Sequence, residues 1–273
     1  ALIPATVDAS AVTLHLIREG GWELSNPAWF TLEEESRGVY AKNCFFNLRY
    51  PFWHTDKVHL SDCEMTSLCR AAFWYTSDVH IKDSILHGVK AMRECSDVEI
   101  MNCDIISTEF GWSTNDIRIK DSSAEGEYFM LRAENIALSN VRFKGKYSFQ
   151  YVNNAEIECC ELDTKDAFWH ASNVTVRNSV VKGEYLGWYS ENLTLENCTI
   201  IGTQPLCYCK GLKLINCEMQ GADLAFERSE VEATITSDVL SIKNAYAGSI
   251  SVKSVGEIIR DDERAKCEIV VLS

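Results

Sequence analysis

VTVRNSVVKGEYLGWYSEN (174–192), LTLENCTIIGTQPLCYCKG (193–211) and LKLINCEMQG (212–221) lie under one another as turns of a single repeat, and this alignment decides the fold. Each begins apolar, x, apolar, x, Asn, then a small residue, and each starts 19 residues after the last. Working upstream, the same frame opens at Ile136 and Ala155, at Val98 and Ile117, and at Val79. It reaches Val58, whose coil holds two extra residues, and Val39. Alternation at the first and third places (Val98/Ile100, Ile117/Ile119, Val174/Val176, Leu193/Leu195) is strand periodicity. The fifth place is almost always Asn or Asp (Asn43, Asp62, Asp83, Asn102, Asp121, Asn140, Asn178, Asn197, Asn216), with Cys159 the exception. Those side chains tolerate left-handed backbone and bond to nearby amides, so this place is a sharp corner. The sixth place is small, mostly Cys or Ser, and the eighth is apolar, as in Leu86, Ile105, Phe143 and Leu162. Gly88, Gly126, Gly145, Gly183, Gly202 and Gly221 mark a second corner.

Nineteen residues hold three short strands and three turns, whereas a helical repeat needs about 33 or more. Leucine-rich repeats space their Asn one residue further on, and the six-residue period of a left-handed hexapeptide helix is absent. The expected fold is all-β, a single-domain right-handed parallel β-helix of ten to twelve coils. Residues 1–35 do not keep the frame and are expected to be irregular or capping, with coils over 36–248 and a C-terminal coil and cap over 249–273. Within that cap, 255–266 reads as a short helix or loop and 268–272 as a strand.

The chain has 273 residues, is 46% hydrophobic and carries a formal charge of −14. That charge disfavours nucleic acid, whose phosphates demand clustered Lys and Arg, and equally an anionic membrane surface. No apolar run reaches membrane-spanning length. Twelve cysteines avoid metal spacing and fall mostly at one repeat place, so they read as reduced core residues of a cytoplasmic protein. Cys198 with Cys217, and Cys44 with Cys63, stand one coil apart, within a disulfide's Cα reach of about 4.4–6.8 Å. Free buried thiols are nonetheless the plainer expectation. Cys207 and Cys209 share a strand face but lack visible co-ligands, and no metal or cofactor is expected.

Longer words add a resemblance. NCFFNLRYPFWH (43–54), EYFMLRAEN (127–135), GKYSFQYVNNA (145–155), TKDAFWHASNV (164–174), GEYLGWYSENLTLENC (183–198), IGTQPLCYCKGLKLINCEM (201–219) and VGEIIRD (255–261) recur in order. Together they resemble the uncharacterised bacterial family catalogued as domain of unknown function 3737, in the pectin-lyase-like superfamily, over residues 36–273. The resemblance implies the β-helix and brings no activity with it. Before residue 36 the sequence departs from the family, whose members look as if further coils begin earlier.

Candidate functional residues cluster in the third strand of each coil. Its fifteenth place (Trp53, Trp74, Arg93, Trp112, Leu131, Gln150, Trp169, Trp188, Cys207, Phe226) and its small seventeenth place are expected to face inward. The sixteenth (His54, Tyr75, Glu94, Arg132, Tyr151, His170, Tyr189, Tyr208) then faces out, beside the twelfth (Lys90, Glu109, Tyr128, Tyr147, Asp166, Tyr185). Phe149 and Phe168 lie between these columns. Were the parity reversed, the Trp column would become the surface. Parallel strands sit about 4.8 Å apart, so the columns merge into one face mixing aromatic and charged groups. Such a face suits sugars, whose apolar ring faces stack on aromatics while hydroxyls bond carboxylates and guanidinium.

Binding of an oligosaccharide is therefore expected through Glu94, Glu109, Tyr128, Tyr147, Phe149, Phe168, Tyr185 and Tyr189. Any chemistry would fall to Arg132, Tyr151, Asp166 and His170, in a polysaccharide lyase or glycoside hydrolase type of reaction. Nothing singles out a carboxylate pair at the roughly 5–10 Å that glycosidases use. An Asp pair with Gly-His-Gly, as in polygalacturonases, is absent. The alternative is a non-catalytic scaffold whose aromatics stack between coils and whose face binds a protein or a second copy.

Overall fold

The computed structural model describes residues 14–25 and 37–272, and every regular element among them is a β-strand. The chain gathers into two compact units, residues 1–137 and 138–273. Each is a stack of short parallel strands about 19 residues apart in sequence, a β-solenoid.

In the first unit the opening strands of successive coils pair at the places the repeat assigns: Val39↔Val58, Val58↔Val79, Val79↔Val98 and Val98↔Ile117. Their second strands follow suit, with Met65↔Leu86 and Leu86↔Ile105. In the second unit Ala155↔Val174 and Val174↔Leu193 continue one column, and Leu162↔Val181 and Val181↔Ile200 the other. These paired residues are buried, so each coil fills the interior with like residues stacked on like. The arrangement removes nearly all of each side chain from water and satisfies every ladder N–H in the same step.

The Asn/Asp corner takes the left-handed conformation the residue types predict, with φ of 52° at Asp83, 52° at Asn102 and 51° at Asn178. Even Cys159, the odd residue of the column, adopts 55°. Amide side chains link corners coil to coil: Asn102 Nδ2 donates to Asp83 Oδ1 at 2.7 Å. A second left-handed column closes the coil at Asp78, Asp97, Asp116, Asn135, Asn173 and Asn192. There Asn192 Nδ2 donates to Asn173 Oδ1 at 3.0 Å. The small sixth place has a polar reason. Ser84 Oγ accepts the Cys63 N–H at 3.0 Å, and Ser179 Oγ accepts that of Cys160 at 2.9 Å.

Three expectations meet their outcomes here. All twelve cysteines are free thiols, eleven of them buried and Cys159 exposed. Over 255–266 no helix forms: strand Ala247–Ile259 runs into a loop, and Glu268–Val271 pairs with it in parallel. Upstream, strand Leu14–Ser25 pairs in parallel with Arg37–Asn47 through Leu14↔Val39 and Trp22↔Cys44, with a register shift between Ile17 and Trp22. The rest of the 1–35 segment lies outside the described residues.

Candidate functional site

The third stretch of each coil is where the structure departs from strand logic. Only Phe73–Trp74 and Met92–Arg93 form a strand pair there among the described residues. From Glu109 to Arg228 every second residue of this stretch is left-handed: Tyr147, Phe149 and Tyr151 have φ of 59°, 56° and 56°, and Asp166, Phe168 and His170 have 54°, 60° and 53°. Such backbone costs roughly 1–2 kcal/mol per residue for L-amino acids. Hydrogen bonds to the coils on both sides offset the cost. Tyr147 N–H donates forward to Lys165 O at 2.8 Å, while Phe168 N–H donates back to Ser148 O at 3.0 Å.

Because this backbone is not pleated, side chains do not alternate with period two. The fourteenth place points inward: Phe149 and Phe168 are 0% and 2% exposed and stack on each other with centroids 5.0 Å apart. Both are core residues, which corrects their placement on a ligand-binding surface. Conversely, from Trp53 to Trp188 the fifteenth place is half-exposed rather than interior, so the Trp column and the sixteenth place reach solvent side by side, while Cys207 and Phe226 of the same column are buried as expected.

In the second unit this produces an aromatic ladder. Tyr151 stacks on His170 (5.0 Å, 8° between planes), His170 on Tyr189 (5.0 Å, 7°) and Tyr189 on Tyr208 (4.8 Å, 12°). Beside it Trp169 and Trp188 stack at 5.5 Å and 5°, each indole N–H held at 2.7 Å by a carbonyl oxygen, of Tyr185 and Gln204 respectively. Tyr185 meets Trp188 edge-on at 5.4 Å and carries Lys165 Nζ over its ring. Tyr147 is half-buried under Lys146 Nζ, 5.4 Å from its centroid. Asp166 is buried, and desolvation, with the Glu184 carboxylate adding to it, pushes its pKa up against the pull of Lys165. Of the four groups assigned to chemistry, Tyr151 and His170 are thus in contact. Asp166 sits among Lys165 and Glu184, and Arg132 belongs to the first unit.

In the first unit the two carboxylates expected to bind ligand are engaged with cations. Glu94 Oε1 accepts from Arg93 Nε at 3.1 Å, and Glu109 Oε2 lies 3.0 Å from Lys90 Nζ. The Arg93 guanidinium is sandwiched between Trp74 and Trp112, 5.3 and 4.4 Å from their centroids. Arg132 is exposed and Tyr128 half-buried.

The repeat, the stacked corners and the solenoid together describe a family as well as a fold, and a family model matches residues 31–271. This chain belongs to the DUF3737 family, described as proteins of unknown function. No curated protein matches it. Among solved structures, it is similar to HetL, a pentapeptide repeat protein of the cyanobacterium Nostoc sp. strain PCC 7120, at 11% identity and TM-score 0.30, over 70% of this chain and 88% of that one. The A-module of the Azotobacter vinelandii mannuronan C-5 epimerase AlgE4 matches at 10% identity and TM-score 0.26, over 88% and 91%. The catalytic domain of a GH87 α-1,3-glucanase matches at 11% and 0.28, over 93% and 62%. At these scores the likenesses carry no inference about function.

Two further features of this DUF3737 chain escaped the residue pattern. A recess of about 630 Å³ near the C-terminus is lined by charged groups, most of them paired with one another. Within it Lys243 lies 3.3 Å from Glu227, and Asp262 lies 2.9 Å from Arg264 and accepts the Tyr246 hydroxyl at 2.9 Å. On the opening strands of the first unit, His59, Asp78 and His80 bring three metal-capable donor atoms within 4.8 Å of one another. No metal spacing announces them, but two histidines at the second place of successive coils were visible in the sequence.

Proposed function

We propose that this chain binds a neutral, hydroxyl-rich carbohydrate chain along the column Tyr151, His170, Tyr189 and Tyr208, and does so without catalysis. The observation that supports this reading is the ladder itself. Its rings cover one another's faces, so what reaches water is a row of ring edges, phenol oxygens and imidazole nitrogens repeated once per coil. Repeated donors and acceptors on a straight row suit a ligand that is itself repetitive and rich in hydroxyls. Tyr151 and Tyr189 are 50% and 42% exposed, which leaves their edges accessible. The formal charge of −14 disfavours polyuronates and favours a neutral glycan. A binding rather than catalytic role is supported by the engagement of the carboxylates first offered for ligand or chemistry: Glu94 and Glu109 are ion-paired, and Asp166 is buried.

A scaffold or self-association reading is favoured by the same stacking, since aromatic faces spent on each other are not platforms for sugar rings. Affinity electrophoresis through gels containing soluble neutral or uronic polysaccharides separates the two. The expected result is retardation by a neutral glycan that disappears in a Tyr151→Ala/Tyr189→Ala variant. No retardation, with the variant instead changing the molar mass measured by light scattering, would discard carbohydrate in favour of an interface.

A further inference from the structure

We propose that His59, Asp78 and His80 form a binding site for one divalent transition-metal ion of the Zn²⁺ kind. His59 and His80 are register partners on adjacent parallel strands, and their rings stack at 4.7 Å with 10° between planes. Asp78 stands two residues before His80 at the left-handed corner, with φ of 52°, and this brings its carboxylate to the histidine side: Oδ1 lies 2.9 Å from His80 Nε2. The other ring nitrogen of His80 also faces a carboxylate, Glu99 Oε2, at 3.2 Å. Both ring nitrogens of His80 thus face carboxylates, and a cation held between Nε2 and Asp78 would leave Nδ1–H to donate to Glu99. That carboxylate–histidine–metal relay fixes the tautomer of many metal-binding histidines.

His59 supplies an independent observation. Its Nε2 is shut off from water and has no hydrogen-bond partner. Tyr40 stacks on the ring at 4.7 Å opposite His80, which holds it in place. The fold does not ask for these histidines: the equivalent outward place carries Glu99, Arg118, Thr175 or Lys213 in other coils. Two imidazoles and a carboxylate suit Zn²⁺ and its neighbours rather than Ca²⁺ or Mg²⁺, which take oxygen ligands. Bonds of about 2.0–2.1 Å place tetrahedral donors about 3.3 Å apart, so the widest gap in the trio closes by up to about 1.5 Å while the 2.9 Å contact between Asp78 and His80 opens slightly. The side chains of His80 and Asp78 are 40% and 43% exposed, which leaves solvent-side room for that adjustment. Two opposing charges lie nearby, Lys57, whose ammonium is 6.0 Å from the Tyr40 centroid, and Arg118, 3.8 Å from Glu99, and the Asp78 and Glu99 carboxylates balance them.

The test is calorimetric titration of the whole chain with ZnCl₂, thiols kept reduced and Cys159 replaced by Ser. One ion per chain is expected, with affinity falling roughly tenfold or more in His59→Gln and in His80→Gln and unchanged in His54→Gln and His170→Gln. Nitrogen-15 spectra of labelled histidine in the otherwise native chain provide a readout that needs no variant to fold: the His59 and His80 ring signals move on adding Zn²⁺. Absence of binding, binding that survives both substitutions, or ring signals that stay put would each overturn the proposal.

Discussion

Gly183 shows how tightly one coil sits on the last, and replacing it with Ala is the sharpest test of the architecture. Its φ is +151°, a region closed to side chains, and an added Cβ would lie 1.9 Å from Thr164 O and 2.6 Å from Thr164 C. Both atoms are backbone, so no side chain can swing aside. Meanwhile Gly183 N–H donates forward to Ile201 O at 2.8 Å, which pins the residue from the other side. The conformational penalty is about 1–3 kcal/mol, and forcing coils apart adds about 1–3 kcal/mol of overpacking. A loss of about 2–6 kcal/mol is therefore expected. Gly221 is the internal control: φ is +64° and nothing lies within 4 Å of its Cβ, so Gly221→Ala bears only the left-handed cost of about 1–2 kcal/mol. Urea unfolding followed by tryptophan fluorescence measures both. Repeat arrays can unfold in more than one step, so midpoints and slopes are compared together. Equal losses in the two variants, or a Gly183→Ala loss no larger than that of Gly221→Ala, would refute the close-contact reasoning.

Two other predictions rest on the corner columns and the thiols. Cys159→Asn should stabilise the chain by up to about 1 kcal/mol, since it places a residue tolerant of left-handed backbone at φ 55° between Asn140 and Asn178; an unchanged or lower urea midpoint would count against it. Burial pushes the Cys95 and Cys207 thiols up to about 12 and that of Cys209 up to about 11. Because the folded values lie above the unfolded value of 9.0, their stabilising contribution is complete below pH 9 and is lost as pH rises toward 12. The urea midpoint should fall across that window, while a thiol reagent at neutral pH modifies exposed Cys159 quickly and the buried thiols only on unfolding. A flat midpoint up to the folded values, or prompt modification of Cys95, would contradict the burial argument.

What the sequence disclosed and what it hid have one physical cause. Places one, three, five and eight were legible because each demands a chemical type: an apolar residue for a stacked interior, or Asn/Asp for a left-handed corner. Val79, Val98 and Ile117 therefore pair where the repeat sets them, and Asp83 and Asn102 turn as their side chains predict. The third stretch was misread because inward/outward parity presumes a pleated strand. Tyr147, Phe149 and Tyr151 have no side-chain preference for left-handed backbone, yet all three adopt it. What holds them there is a set of hydrogen bonds to neighbouring coils that no single coil's sequence contains. Once period two fails, Phe149 drops into the core while Trp169 and His170, adjacent in sequence, both reach the surface. The histidine site lies between these cases. His59 and His80 share one repeat place and could be paired from the sequence, but Asp78 joins them only because the closing corner is itself left-handed. Three turns per coil leave room for that corner, but the direction in which it aims its side chain, and hence the third ligand, emerged only with the backbone in three dimensions.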